Sequence, residues 1–185
     1  MKRLNKENIN TPELSEQIFK ERWKECPHWV DMNRFKKLAK YYEGGRYLDI
    51  GCFNSPMPSE LKLKYPNAEI CAIDHAEKVV EKMKGYFPDV FYKVGDVRSL
   101  PYKDEYFDYA VAGEVLEHME RPEPLLKEWM RVLKPGGWLA ISVPFKEEIH
   151  GRTGVSNEHM MAFEESDFEG ETEVYNENIY AWLQK

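Results

Sequence analysis

Polar and apolar residues recur along the chain with two periods, one typical of helices and one typical of strands. Near the start, apolar residues follow Thr11-Pro12 at helical spacing, and a threonine before a proline is a favoured helix start. A second helical pattern covers residues 29–42 and ends at a pair of glycines. We therefore expect residues 1–45 to form an N-terminal helical cap.

Beyond residue 45, short apolar runs alternate with helical patterns. Strands separated by helices indicate βαβ units, and hence a mainly parallel sheet with helices on both faces. Right-handed crossovers make such a sheet doubly wound, an α/β fold that we assign to residues 46–185 as one compact unit. The expected strands are 47–50, 69–73, 90–94, 106–112 and 138–143, with two short strands in 173–183; the expected helices are 59–65, 76–85, 115–119, 123–133 and a short stretch at 164–168.

Composition and charge narrow the classes of function. Apolar residues make up 42% of the chain and aromatic residues 14%, which is enough to build a core. The net charge of −7 is unevenly spread: residues 1–46 carry +4 (11 bases, 7 acids) and residues 147–185 carry −8 (2 bases, 10 acids). An acidic final segment argues against a nucleic-acid partner, because binding along a phosphate backbone needs a basic face.

Cysteine usage and hydropathy indicate a cytoplasmic protein. Cys26, Cys52 and Cys71 lie far apart without a CxxC spacing, which argues against a disulfide framework and a cysteine-rich zinc site. No apolar run follows the charged first ten residues, so we expect no signal peptide. No apolar stretch approaches the ~20 residues that span a bilayer, so we expect no membrane partner. The oligomeric state is left open.

The first candidate for ligand binding is the turn after the strand at 47–50. Ligands of doubly wound folds bind outside the carboxyl ends of the strands. Asp49, Gly51 and Cys52 lie at such an end, where a glycine lets the backbone approach a ligand and an acid can accept from a polar group. An ordinary strand–helix turn would explain the same residues.

Acidic residues follow the next two strands as well. Asp74, with His75 after it, lies 19 residues beyond Ser55, which is the place of a ribose-binding carboxylate in nucleoside-binding βαβ units. Asp74 could also cap the following helix, a role that is compatible with ribose binding. After the third strand, the Asp96 carboxylate could accept from an adenine amino group while the Val97 N–H serves a ring nitrogen; the alternative is a simple loop acid.

Five segments together resemble class I S-adenosylmethionine-dependent methyltransferases of the small-molecule type. They are LDIGC at 48–52, the acid in AIDHA at 72–76, GDVRSLPY at 95–102, FDYAVAGEVLEH at 107–118 and RVLKPGGWLAISVP at 131–144. Each segment is short, but all five keep the family's order and spacing over about residues 46–145. The resemblance implies a Rossmann-like sheet of seven strands whose last two form an antiparallel hairpin, for which residues 173–183 are the candidate.

The resemblance also implies which residues bind S-adenosylmethionine. Asp49 and Gly51 would shape the pocket for its methionine part, and Asp74 would bind the ribose hydroxyls. Phe53 and Ser55 stand where the family usually has further glycines, so the loop departs from the family pattern. The full set implied to bind the cofactor is Asp49, Gly51, Cys52, Asp74, His75, Asp96, Val97 and Gly113.

A Glu-x-x-Glu-His motif at the end of the fourth strand supplies candidate catalytic and metal-binding residues. Glu114, Glu117 and His118 are three and four residues apart, so a helix would place them on one face, and His159 follows the fifth strand at the same rim. Two carboxylates and two imidazoles suit Mg²⁺ or Mn²⁺. The motif resembles ubiquinone-pathway O-methyltransferases and small-RNA 3′-terminal 2′-O-methyltransferases, although many relatives carry a similar Glu-His pair and imply no metal. His118 and Glu114 are the expected catalytic residues.

These observations predict methyl transfer from S-adenosylmethionine to a small-molecule acceptor, at oxygen. The chain has no Asn/Asp-Pro-Pro-Tyr/Phe motif after the fourth strand and no Pro-Cys nucleophile, which argues against methylation of nucleic-acid bases. Two alternatives stay open: a non-catalytic cofactor-binding or regulatory protein of the same fold, and a metal-assisted RNA 2′-O-methyltransferase. At the break between the first two helices, His28 and Trp29 are expected to face the cofactor.

Overall fold

The computed structural model describes residues 1–3, 11–23, 32–145 and 159–185. Within these ranges the chain forms nine strands and five helices, with single 3₁₀ turns at Leu116–His118 and Glu165–Asp167. The elements are β1 (Lys2–Arg3), α1 (Pro12–Trp23), α2 (Met32–Leu38), β2 (Arg46–Ile50), α3 (Met57–Lys64), β3 (Glu69–Asp74), α4 (Glu77–Tyr86), β4 (Phe91–Val94), β5 (Phe107–Gly113), α5 (Pro122–Arg131), β6 (Leu133–Pro144), β7 (Met161–Ala162), β8 (Glu171–Tyr175) and β9 (Asn178–Gln184).

Seven of the strands form one sheet in the spatial order β4-β3-β2-β5-β6-β9-β8. The first five are parallel, whereas β9 pairs antiparallel with β6 and β8 pairs antiparallel with β9. The β8–β9 turn places Asn176 and Glu177 at positive φ, as a two-residue hairpin of this hand requires. The predicted fold class, a mainly parallel seven-stranded α/β sheet with an antiparallel C-terminal hairpin, is confirmed.

Helices cover both faces of this sheet and create two apolar cores. On one face, Leu38 of α2, Leu61 of α3 and Val80 of α4 pack against the sheet. On the other face, Leu125 and Trp129 of α5 pack against it. Because the five parallel strands all end at one rim, the loops that leave them converge there, and this rim positions the site described below.

Three local predictions differ from the structure. The expected helix at 115–119 is a single 3₁₀ turn, Leu116–His118, and the expected short helix at 164–168 is a 3₁₀ turn, Glu165–Asp167. β6 begins at Leu133, five residues earlier than predicted, because Leu133 already pairs with Phe107 of β5. Of the second helical pattern, the structure has α2; residues 24–31, with His28 and Trp29, lie outside the described residues.

The α2 segment is held firmly to the sheet. The Tyr109 hydroxyl donates to the Leu38 carbonyl at 2.7 Å, and Trp182 Nε1 donates to the Lys37 carbonyl at 3.2 Å. Lys37 and Lys40 also form ion pairs with acids of β8. Within the described ranges, every helix is too short or too polar to cross a membrane.

Trp129 links the α5 core to the loop that carries Asp96. The side chain is fully buried, and its Nε1 donates to the Val97 carbonyl at 2.9 Å. We expect Trp129→Ala to lower the free energy of unfolding by about 3–5 kcal/mol, since a large cavity replaces the indole. Trp129→Phe, which keeps most of the packing but loses the hydrogen bond, should cost about 1–3 kcal/mol. Urea unfolding measures both, and equal costs for the two variants would contradict this assignment.

Candidate cofactor and active site

The loop between β2 and α3 turns sharply at Gly51, whose φ is +69°. The N–H groups of Gly51 and Cys52 both donate to the Ile73 carbonyl, at 2.9 and 3.0 Å, which ties the loop to the end of β3. A Cβ on Gly51 would lie 2.5 Å from a methyl of Val115. Backbone conformation and available space therefore both require glycine at this position.

At Phe53 the backbone of the same loop has a conformation typical of glycine, and this is a position where the family usually has one. Phe53 has a φ of +42°, in the left-handed region that costs a non-glycine residue roughly 1–2 kcal/mol. The Phe53 N–H donates to Oδ2 of Asp74 at 2.9 Å, a hydrogen bond to a charged group that helps to offset this cost.

Asp74 connects two loops at the rim. Its Oδ2 accepts from the Phe53 N–H, and its Oδ1 accepts from the Ala76 N–H at 2.9 Å. A carboxylate offers about four acceptor positions, so two stay available to the hydroxyls of a ribose. Ala76 occupies the N-cap position of α4 and no side chain caps it, so the predicted role of Asp74 as a helix cap is wrong.

His75 lies beneath α1. Its Nε2 is 3.0 Å from the Ser15 hydroxyl, and Lys78 of α4 forms an ion pair with Glu16. These two contacts place the N-terminal helix over the turn that carries Asp74, on the side where we predict the ribose.

The Asp96 carboxylate has a partner that sequence reasoning missed. Arg98 Nε donates to both carboxylate oxygens at 2.9 Å, and Arg98 Nη2 donates to Oδ2 at 2.6 Å. The backbone N–H of Arg98 donates to Oδ1 at 2.8 Å. The side-chain hydrogen bonds from Arg98 hold the pKa of Asp96 below its ordinary value. By the count of about four acceptor positions on a carboxylate, these contacts already occupy Asp96, so an adenine amino group would have to share the carboxylate with Arg98. The Val97 carbonyl is fixed by Trp129.

Asp49 is the most deeply buried acid of the loop cluster, with 4% of its surface exposed. Burial raises the pKa of its carboxyl to about 7; the charge of Asp74 adds to the rise, while the hydrogen bond to Ser55 and the charge of Arg34 oppose it. Among the described residues, Oδ2 of Asp49 has no hydrogen-bond partner. A buried, poorly satisfied carboxyl at a strand end is suited to a cationic ligand group.

Arg34 of α2 is a second site residue that sequence reasoning missed. Its Nη2 lies 3.3 Å from Oε1 of Glu114, which also accepts from the Ser142 hydroxyl at 3.1 Å. The same Nη2 would be 3.2 Å from a Cβ on Gly113, so the guanidinium covers the end of β5. Hydrophobic spacing alone could not reveal Arg34, because its role depends on how α2 packs on the sheet.

A separate cluster of potential metal ligands lies beyond β5 and β6. Donor atoms of Glu117, His118 and His159 all lie within 4.8 Å of one another, and the two imidazole ring centres are 4.8 Å apart. The Met160 N–H donates to the Glu117 carbonyl at 2.7 Å, which holds the two segments together.

Glu114 does not belong to this cluster. It precedes the 3₁₀ turn and has a φ of +56°, and its carboxylate contacts Arg34 and Ser142 instead. The expectation that one helix face would align Glu114 with Glu117 and His118 is therefore wrong, because no such helix forms at this position.

The sequence also matches a known protein family. A family model described as "Methyltransferase domain" matches residues 48–141, just over half of the 185 residues. This chain belongs to the S-adenosylmethionine-dependent methyltransferase family. The match covers the Gly51 loop, Asp74, Asp96 and the Glu114–His118 motif.

The chain is similar in sequence to several curated methyltransferases. The chain is 36% identical over 59% of its length to 27-O-demethylrifamycin SV methyltransferase of Amycolatopsis mediterranei, covering 42% of that protein. It is 29% identical over 85% of its length to demethylmenaquinone methyltransferase of Bacillus subtilis, covering 68% of that protein. In seven curated relatives the match spans only 19% to 47% of the relative's length.

The fold of the methyltransferase domain is equally clear in solved structures. A crystal structure of an S-adenosylmethionine-dependent methyltransferase from Thermotoga maritima matches with a TM-score of 0.71, covering 94% of this chain and 97% of that one at 22% identity. This likeness concerns the fold.

Cofactor affinity of this methyltransferase domain should rise with pH through about 7. Below that pH the free protein holds Asp49 protonated. A ligand ammonium favours the carboxylate, so binding at lower pH must release a proton and is weaker. Calorimetric titration with S-adenosylhomocysteine from about pH 6 to about pH 8 measures this, with Asp49→Asn expected to remove the dependence. A pH-independent affinity of the unaltered protein would contradict the role of Asp49.

Proposed function

We propose that this chain transfers a methyl group from S-adenosylmethionine to an oxygen atom of a small-molecule acceptor. The single observation that carries the proposal is Asp74: a carboxylate at the end of β3 that fixes the Gly51 loop and keeps two acceptor positions for a ribose. Gly51 supports the proposal through its backbone: a Cβ there would lie 2.5 Å from a Val115 methyl, so only glycine lets the loop turn at the end of β2. Bound S-adenosylmethionine supplies a sulfonium methyl that is already electrophilic.

The amino-acid end of the cofactor has two oppositely charged candidates at the rim. Asp49 would face the α-ammonium, since its buried carboxyl has an oxygen that is not satisfied within the described residues. Arg34 would face the α-carboxylate, because its guanidinium lies over the end of β5 and its charge acts on Asp49. Opposite charges on either side of the pocket would orient a zwitterion in one direction only.

Glu114, His118 and His159 would act on the methyl acceptor. Catalysis of methyl transfer rests mainly on holding the nucleophilic oxygen in line with the methyl group. His118 or His159 would take the proton of an acceptor hydroxyl. Glu114, beside Gly113, would hold the acceptor by a hydrogen bond. The choice of oxygen is supported by the cluster of imidazoles and by the relative named as a 27-O-demethylrifamycin methyltransferase.

A divalent metal held by Glu117, His118 and His159 is an alternative to proton transfer by an imidazole, because a nitrogen that ligates the ion cannot also accept the proton. Ligands of one Mg²⁺ ion, each roughly 2.1 Å from it, are at most roughly 4.2 Å apart. The three donor atoms, within 4.8 Å of one another, thus need only small shifts to share an ion, and Glu117 is fully buried. A bound ion would supply a Lewis acid that lowers the pKa of a coordinated hydroxyl.

The two alternative functions, cofactor binding without catalysis and RNA 2′-O-methylation, would use different residues at the same rim of the sheet. A cofactor binder without chemistry needs Asp49 and Asp74 but not the imidazoles. An RNA 2′-O-methyltransferase would use Glu117, His118 and His159, yet it would have to accommodate an RNA backbone beside an acidic final segment. Transfer of labelled methyl from S-adenosylmethionine separates them, with a small-molecule extract and a short RNA as the two acceptors. Label in the small-molecule fraction supports the proposal, whereas label only in RNA, or in neither, contradicts it.

Asp74→Ala should weaken S-adenosylmethionine binding at least about tenfold while the fold survives. Hydrogen bonds to a charged group are worth about 1.5–3 kcal/mol, and the loop would also lose its tie through Phe53. Asp89→Ala, at an exposed acid after α4, is the matched control and should bind normally. Calorimetry measures affinity, and circular dichroism checks the fold. Equal affinities for the two variants would overturn the ribose assignment.

Mg²⁺ or Mn²⁺ should stimulate turnover, and a chelator should suppress it. His159→Ala should lower activity without lowering cofactor affinity, because its imidazole lies beyond the adenosine-binding loops. The same variant should lose Mn²⁺ binding in a calorimetric titration with the metal alone, which tests the site independently of activity. Full activity in excess chelator, or unaltered Mn²⁺ binding by the variant, would leave these residues as a proton-transfer group without a metal.

A further inference from the structure

Three buried oxygen atoms beneath the cofactor loop are without hydrogen-bond partners among the described residues: the hydroxyls of Tyr47 and Tyr92 and Oδ2 of Asp49. Tyr47 is completely buried and Tyr92 is 6% exposed. More than about nine in ten buried polar groups in proteins are hydrogen-bonded. Three such atoms in one region therefore call for a physical cause.

Strand register places the three side chains on the same face of the sheet. Asp49 of β2 pairs with Ala72 of β3, and Ala72 pairs with Tyr92 of β4, so the three residues form one row across the sheet. Tyr47 lies two residues before Asp49 and points to the same side. The central member of the row is a methyl group, which leaves room for the Tyr92 ring to extend over β3 toward Asp49.

The electrostatics of the two phenols agree with this geometry. Burial raises the pKa of Tyr47, and the charge of Asp49 raises it further. Burial likewise raises the pKa of Tyr92, and Cys52 and then Asp49 would raise it further through their charges when ionised. Both phenols thus stay protonated at neutral pH and can donate. The other groups that face Asp49 are the Ser55 hydroxyl from the loop, Asp74 from β3, the Cys52 thiol and Arg34 from α2.

We infer that Tyr92, together with Tyr47, is a positioning residue for Asp49, supplying hydroxyl donors that orient the carboxylate toward the cofactor. Because none of the three oxygens bonds another directly, the link runs through ordered water, which typically joins about three buried polar groups. The inference rests on the proposed function, since it assumes that Asp49 receives the cofactor's ammonium. It adds a set of residues on the far side of the carboxylate, outside the five motifs that identify the family.

The donors should matter most when Asp49 becomes charged. A donated hydrogen bond stabilises the carboxylate over the neutral acid. Without the Tyr92 hydroxyl, the proton would leave Asp49 only at higher pH, and the ammonium would find a carboxylate less often. Cofactor affinity near pH 7 should fall, and the pH at which affinity rises should move upward.

The test compares Tyr92→Phe with Tyr65→Phe in calorimetric titrations with S-adenosylhomocysteine across the same pH range. The Tyr65 hydroxyl donates to the Tyr42 carbonyl at 3.1 Å and has no part in the Asp49 row, so it is a matched control. We expect Tyr92→Phe to move the pH midpoint of affinity upward by roughly half to one unit, which weakens binding at pH 7 by about two- to sixfold. Tyr65→Phe should leave the midpoint unchanged.

A double-mutant cycle with Asp49→Asn decides whether Tyr92 acts through Asp49. In the Asp49→Asn background, Tyr92→Phe should have no further effect on affinity or on its pH dependence. An unshifted midpoint in Tyr92→Phe, or an equal loss of affinity in both backgrounds, would overturn the inference. The proposed function would fail separately, by the unaltered protein not binding S-adenosylhomocysteine at all.

Discussion

The Asp74 carboxylate accepts two backbone hydrogen bonds, from Phe53 and Ala76, that join the loops after β2 and β3. The carboxylate sits at 6% exposure, so these bonds form where water competes little. The hydrogen bond from Phe53 also stabilises the left-handed backbone conformation of that residue, which is strained because Phe53 is not a glycine. The path of the Gly51 loop therefore depends on the Asp74 carboxylate together with the Ile73 carbonyl, which accepts from the Gly51 and Cys52 N–H groups.

Near Asp74, the same rim carries the Asp49 carboxyl, an ionisable group whose burial does not stabilise the fold. Asp49 is held at a pKa of about 7 by burial, so below that pH it enters the folded protein as a neutral acid. A group whose folded pKa is raised makes the protein less stable as pH rises from its unfolded value toward about 7. Such a cost is typical of binding sites, where a side chain is kept ready for a ligand rather than for the fold.

The strands of the sheet could be predicted from the sequence because the pattern that indicates a strand lies within the strand itself. Apolar runs such as those of β2, β3 and β5 are short and bounded by turns, and each was placed to within a few residues. The glycine and acids of the rim were predictable for a similar reason, since they follow strand ends. Arg34 was missed because a polar residue on a short helix carries no pattern that reveals what the helix packs against.

Two further features depend on geometry that no local pattern encodes. Glu114 was expected on a helix face with Glu117, but its positive φ and its contacts with Arg34 and Ser142 turn its carboxylate away. Tyr92 shares a row with Asp49 only because the register pairs both residues with the small Ala72 between them. Register between distant strands is a tertiary property, so neither feature could be derived from residue spacing.

A crystal structure of the chain with S-adenosylhomocysteine bound would show whether Asp74 binds the ribose. We expect both ribose hydroxyls within hydrogen-bond distance of Asp74, the adenine beside Asp96 and Val97, and the amino-acid end between Asp49 and Arg34. A ligand bound elsewhere on the chain, or a ribose with no contact to Asp74, would contradict this expectation.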